Sequence, residues 1–269
     1  MATLPTFFAS HPVFTSEEVT RFHRSRGSGN PGTLRVLLMR HQRRGRLVAV
    51  RRGVYASVPA GQDASTVAVD AYQVASRLAP DAVLGYHTAL ELHGVAHSVF
   101  SRLQFLTDSA ARACTFRDLV FQPVRVPRAL AGGCGFGVEV ERVDRMGLSI
   151  RVTTLERTCV DSLDRPDLAG GWEEVMQSIE SADTLDVDAV IRYALHLRSA
   201  TLAAKVGWYL EINATRLCVS ASQLDRLRAH RPKARQYINR ESPQGHRLAR
   251  GWNLLLPTDL AEQRWREVG

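Results

Sequence analysis

Residues 30–59 read NPGTLRVLLMRHQRRGRLVAVRRGVYASVP. Asn30 is suited to cap a helix with its side-chain oxygen, and Pro31 falls at the first helical position, where the missing N–H costs nothing. Leu34, Leu37, Leu38 and His41 recur at helical spacing, so they predict an inward face, while Arg35, Arg40 and Arg43 lie elsewhere on the cylinder. Gly45 follows the last turn and can take the left-handed conformation that ends a helix. Two short apolar runs, LVAV and VYASV, come next, joined by Arg51-Arg52-Gly53. They predict a hairpin with a doubly basic tip.

Working outward toward the N-terminus, Thr15-Ser16-Glu17-Glu18 matches a capping box. Thr15 is expected to accept from the Glu18 amide, and Glu18 to return the bond to the Thr15 amide. Val19 and Phe22 then give that helix its apolar face, and Leu4 to Ser10 predicts a shorter helix with Leu4, Phe7 and Phe8 on the core. RSRGSGNPG is rich in glycine and serine and reads as the turn into the second helix. Helix, turn, helix and wing in this order predict a winged helix-turn-helix, whose second helix enters the major groove while neighbouring basic groups hold phosphate.

The charge distribution agrees with that expectation. The chain of 269 residues carries a net charge of +8, and residues 1–62, with ten Arg, no Lys and only Glu17 and Glu18, account for all of it. No acidic residue occurs between Glu18 and Asp63. A surface facing a polyanion needs such a stretch, since a carboxylate there would repel phosphate. The residues expected to meet DNA are Asn30, Thr33, Arg35, Arg40, Arg43, Arg44, Arg46, Arg51 and Arg52.

The polar break AGQDAS at 60–65 predicts a linker, dividing the chain into a DNA-binding domain at 1–62 and a larger mixed α/β domain at 63–269. The overall expectation is an α+β protein. Residues 66–79 are helical in pattern, and a short helix in VLGYHTALELHGV is ended by Gly94. Strands are expected at Leu103–Thr107, Asp118–Val126, Gly137–Val143 and Ser149–Val152. AGGCGFG at 131–137 lacks the Lys-Ser/Thr of a phosphate loop and reads as a hairpin loop. Thr154 can cap a helix whose inner face carries Leu155, Cys159 and Leu163, with Arg157 and Asp161 paired at i,i+4 on the outside. Helices near 171–182, 186–197 and 199–213 follow, the last read as amphipathic, and strands close the chain at Gln236–Asn239 and in GWNLLLP at 251–257.

Catalytic signatures are weak. His87, His93 and His97 with Glu91 are interrupted by Gly94 and lack the HExxH order, so they read as ordinary histidines rather than metal ligands. Asp186 and Asp188 precede a helix, where aspartate is favoured by capping. The chain has only two lysines, Lys205 and Lys233, neither in a Walker, Schiff-base or nuclease context, and no GxSxG elbow is present. The expectation is a protein that is not an enzyme, without catalytic residues, metal or cofactor. Cys114, Cys134, Cys159 and Cys218 form no CxxC pair and read as reduced hydrophobes. No apolar run is long enough to span a bilayer and the first residues lack a signal-peptide pattern, so a cytoplasmic protein without membrane contact is expected.

Four stretches carry a family resemblance: RRGVYASVP at 51–59, GYHTALELHGVA at 85–96, VTTLERTCVDSLDRPDLAGGWEE at 152–174, and AAKVGWYLE at 203–211 with WNLLLP at 252–257. In their order the chain resembles the AbiEi family of type IV antitoxins and transcriptional regulators. The resemblance implies a winged helix that represses the protein's own operon at inverted repeats in duplex DNA. It also implies a C-terminal domain that counters a nucleotidyltransferase-like toxin without forming a stable complex, with Arg157, Thr158 and Asp161 as that domain's signature. Two alternatives stand beside it. One is an enzyme acting on nucleic acid, delivered by its winged helix, and the other is a stand-alone winged-helix regulator without a toxin partner.

Overall fold

The computed structural model describes residues 3–25, 31–131, 134–239 and 245–266. The fold is mixed α+β, and the chain forms two compact units that interleave along the sequence. The first gathers the described residues up to Leu84 together with Ser101–Val124 and Arg142–Arg151. The second takes Gly85–Phe100, Arg125–Glu141 and everything from Val152 onward. The sequence position 62/63 therefore falls inside the first unit, and the chain at the end of AGQDAS is held by Arg117, which donates to the Val67 carbonyl at 2.6 Å and to that of Ala64 at 3.4 Å.

The first unit opens with α1 (Leu4–Ser10), β1 (Val13–Thr15), α2 (Ser16–Arg24), α3 (Pro31–Arg43), β2 (Leu47–Arg51) and β3 (Val54–Ser57). The capping box forms as its residues dictate, with Glu18 N donating to Thr15 Oγ1 at 3.1 Å and Thr15 N to Glu18 Oε2 at 2.6 Å. Asn30, expected to cap α3, lies outside the described residues, as does most of RSRGSGNPG. The end of α3 follows from Gly45, whose φ of +67° lets Gly45 N reach the Gln42 carbonyl and Arg46 N the His41 carbonyl, each at 3.0 Å. The hairpin pairs Leu47 with Ser57 and Arg51 with Val54. Strand β1, too short for any alternation to show in sequence, adds to its far side in the order β1-β3-β2. Phe7, Phe8, Phe14, Val19, Leu34, Leu38 and Leu47 form one buried cluster against this sheet, each worth about 1.5–3 kcal/mol on burial.

The same unit contains α4 (Ala71–Ala75) and, with only a few strand-end residues assigned to the other unit, a six-stranded sheet in the order β6-β7-β5-β4-β9-β8. Its strands are β4 (Val83–Leu84), β5 (Arg102–Thr107), β6 (Cys114–Phe116), β7 (Leu119–Arg125), β8 (Val140–Arg145) and β9 (Leu148–Thr153). The helix expected over 66–79 is shorter. Asp70 caps it by accepting from Gln73 N at 2.8 Å, which starts the helix at Ala71 and leaves Thr66–Val69 outside. Within 131–137 the described part is a 3-10 turn at Cys134–Gly137 and not a simple hairpin loop.

The second unit is mostly helical: α5 (His87–Leu92), α6 (Leu155–Asp164), α7 (Trp172–Glu180), α8 (Val187–His196), α9 (Ala200–Ile212), α10 (Ala221–Arg228) and α11 (Thr258–Ala261). It closes with a small sheet, β10 (Gln236–Tyr237), β12 (Leu254–Pro257) and β11 (His246–Ala249), in the order β10-β12-β11. Helix α9 departs from the amphipathic reading, because every residue from Leu202 to Leu210 is buried. Alanines and Gly207 let neighbours approach from all sides. No helix among the described residues is long and apolar enough to cross a membrane.

Candidate nucleic-acid interface

Helix α3 is fixed to the core by Leu34 and Leu38, 5% and 4% exposed, with Leu37 and His41 half-buried beside them. That anchoring turns Thr33, Arg35, Arg40 and Arg43 outward, and all four are exposed. Arg44 and Arg46, across the Gly45 turn, are exposed as well. At the hairpin tip Arg52 is exposed and Arg51 half-buried, and the tip is tied to α2 by Ser16 N donating to the Gly53 carbonyl at 2.8 Å. Seven arginines are thus presented by α3, the turn after it and the hairpin tip. None of the seven makes an ion pair among the described residues.

Of the two nearby carboxylates, Glu18 is committed to its capping bond and stands 3.5 Å from Arg77 Nε. The positive field is registered by His41. Burial and then the charges of Arg46, Arg44 and Arg40 hold its imidazole below the usual histidine range. Such a field favours a polyanionic ligand and disfavours a cationic one.

Two outward residues were missed in the sequence. Val36 is 65% exposed and Met39 46% exposed, both on α3. The signal was available in their spacing, since Val36 lies two residues from both Leu34 and Leu38 and so faces away from the core.

The residues Arg157, Thr158 and Asp161 belong to the second unit, and their placement corrects the expectation of an outer salt pair. Arg157 is fully buried and Asp161 is 2% exposed. Spacing alone sets that two side chains meet on a helix; it does not set which side they meet on. Arg157 Nε donates to Asp161 Oδ2 at 3.2 Å, and its Nη1 donates to the carbonyls of Val138 at 2.6 Å and Phe136 at 3.2 Å. Tyr193 Oη donates to Asp161 Oδ1 at 2.8 Å while its ring lies 5.5 Å from the guanidinium carbon. Burial pushes the Asp161 carboxyl above the usual carboxylate range, and Arg157 and the Tyr193 hydroxyl pull it back. Thr158 Oγ1 donates to the Thr154 carbonyl at 2.7 Å within the same knot. The arrangement ties α6, α8 and the 136–138 segment together.

The histidines separate into distinct roles. His87 is fully buried, stacked on Phe100 with ring centroids 3.9 Å apart, and hydrogen-bonded through Nε2 to Glu174 at 3.2 Å. His93 Nε2 donates to the Thr153 carbonyl at 2.7 Å, and His97 is exposed. Among the described residues no three His, Cys, Asp or Glu side chains converge in a way that could hold a metal ion.

No family model and no curated protein matches the chain. Among solved structures it is similar to the crystal structure of the RV2827C protein from Mycobacterium tuberculosis, with a TM-score of 0.64 at 16% identity, over 95% of this chain and 89% of that one. At that identity the likeness speaks for the fold alone.

Proposed function

We propose that the chain is a DNA-binding transcriptional regulator, with residues 1–62 acting as a winged helix-turn-helix: α3 is the recognition helix and the β2–β3 hairpin the wing. The observation that carries this reading is the set of outward arginines on α3 and the hairpin tip, free of ion pairs among the described residues, in a stretch that holds no carboxylate between Glu18 and Asp63. Arginine in this setting grips phosphate and reads guanine edges, and a helix and hairpin that carry no carboxylate of their own add no repulsion to the duplex. In this reading the protein acts by occupancy rather than turnover, in the cytoplasm, and the AbiEi resemblance implies that its sites are inverted repeats of its own operon.

The second half of the proposal rests on the AbiEi resemblance. The larger helical part serves as the antitoxin against a nucleotidyltransferase-like toxin, with no stable complex between the two. The buried Arg157–Asp161 knot supports a structural part for the signature residues in that role, since neither side chain is open to a partner.

The test is duplex binding by the full-length protein across a salt series. If one protomer neutralises about five phosphates, log K against log[salt] should slope near −4.5. A slope near zero removes the DNA reading. Growth rescue on co-expression with the nucleotidyltransferase-like product of an adjacent gene tests the other half. Failure to rescue leaves a regulator without antitoxin activity.

A further inference from the structure

On the outward side of α3 the arginines flank an apolar centre. Val36 sits on the opposite side of the cylinder from Leu34 and Leu38; Gly32 and Arg40 lie one turn away from it, Thr33 and Met39 at three residues, and Arg43 at seven. Valine is a poor choice for helix propensity, being β-branched, and at 65% exposure it buries little against its own fold. Neither local preference nor packing accounts for it. Gly32, which carries no side chain, lets whatever meets this face approach the first turn of the helix closely.

We propose that Val36 is a specificity-determining residue that reads the C5-methyl groups of thymine in the major groove, with Met39 extending the same apolar contact. This rests on the duplex-DNA reading above. Thymine is the one base that offers the major groove an apolar knob, and small apolar side chains are the groups that meet it. The arginines around Val36 identify the occupant as a polyanion. A second copy of the chain docked through this face would set Arg40 and Arg43 against their own equivalents, with no carboxylate on α3 to offset them.

The experiment starts from a randomised duplex pool selected with the full-length protein. The selected site is then remade with deoxyuridine in place of each thymine in turn, which deletes one methyl and nothing else. Wild-type protein should bind the thymine duplex about fourfold more tightly than the uracil duplex at one or two positions, the ratio expected for burying one methyl-sized group. Val36→Ser should bring that ratio to about one and relax the thymine requirement when the selection is repeated, while Val99→Ser, at another exposed valine, should leave the ratio as it was. Thermal unfolding of each variant checks that it is folded, as exposed positions allow.

A protein that selects a site but shows no thymine-to-uracil difference at any position, or selects one lacking thymine where the helix sits, overturns the inference and leaves the DNA reading standing. If Val36→Ser with Met39→Ser converts a dimer to a monomer and the selected site is unchanged, the face joins two copies, and the inference is equally overturned. Absence of binding to any duplex defeats the DNA reading itself.

Discussion

Arg157 and Asp161 face one another inside the second unit, Nε to Oδ2 at 3.2 Å, with neither side chain open to solvent. A buried pair of this kind is costly to break, because removing one member strands the other charge in a low-dielectric interior. Asp161→Ala should therefore lower the stability of the second unit by about 3–5 kcal/mol. Arg226→Ala, which breaks the exposed pair with Asp188, should change it by no more than about 1 kcal/mol. Urea midpoints of the two variants test the contrast. Equal losses would show that the knot is not the structural centre described above.

Gly207 on α9 touches the ring of Trp252. A Cβ built there would overlap the indole, and Trp252 is fully buried with its Nε1 donating to Glu211 at 2.8 Å. Gly207→Ala should displace the ring at a cost of about 1–3 kcal/mol, as overpacking does. Gly251→Ala, where nothing stands within 4 Å, should be close to neutral. Thermal melts followed by tryptophan emission compare them, and an unshifted spectrum in Gly207→Ala argues against this contact.

Burial alone would raise the Glu174 carboxyl, but hydrogen bonds from Ser98, His87 and Ser178 outweigh it and hold the group below the usual glutamate range. A depressed carboxyl stabilises the fold above its unfolded value of about 4.3 and loses that contribution as pH falls through the lower folded value. Wild-type stability should accordingly drop on the acid side of about pH 4.3, and Glu174→Gln should flatten that limb while sitting lower at neutral pH. Parallel limbs for the two proteins would place the acid sensitivity elsewhere.

Arg51 and Arg52 at the hairpin tip are expected to grip phosphate rather than bases. Replacing both with Ala should weaken binding to every duplex and flatten the salt slope by about two. A change confined to one preferred sequence would assign the tip to base reading instead.

The imidazole of His41 reports on the same surface. Its value is held down by burial and by Arg46, Arg44 and Arg40, so phosphates that neutralise those charges should let it rise. Proton uptake on adding duplex DNA, measured by NMR titration of His41, is the expected outcome. A titration unmoved by DNA would mean that phosphates do not approach these arginines.

The parts of the fold that were legible are those whose signals are local. The Thr15 capping box, the Gly45 stop and the Arg51–Gly53 tip each depend on a few adjacent residues, and each forms as its chemistry dictates. The strand Val13–Thr15 was not legible, since three residues hold no period and its pairing with Val54–Ala56 comes from a hairpin forty residues later. The sidedness of Arg157 and of α9 was hidden for a related reason. Which face is buried depends on how many neighbours surround a helix, and LERTCVDSLD does not carry that number. Asp70 shows the opposite case, a single capping side chain overriding a longer helical pattern.

The interleaving of the two units bears on how the chain is made. Among the described residues, strands β1, β2 and β3 pair only with one another, so that small sheet can close soon after Ser57 leaves the ribosome. The six-stranded sheet cannot, because its β4 waits beside β5 until β9, ending at Thr153, has been synthesised. From Thr107, which completes β5, to Thr153 is 46 residues, so at roughly 5–20 residues per second the wait is on the order of 2–9 s. During it the apolar edge of Val83–Leu84 has no partner on one side, and transiently unpaired strand edges of this kind are what chaperones exist to cover.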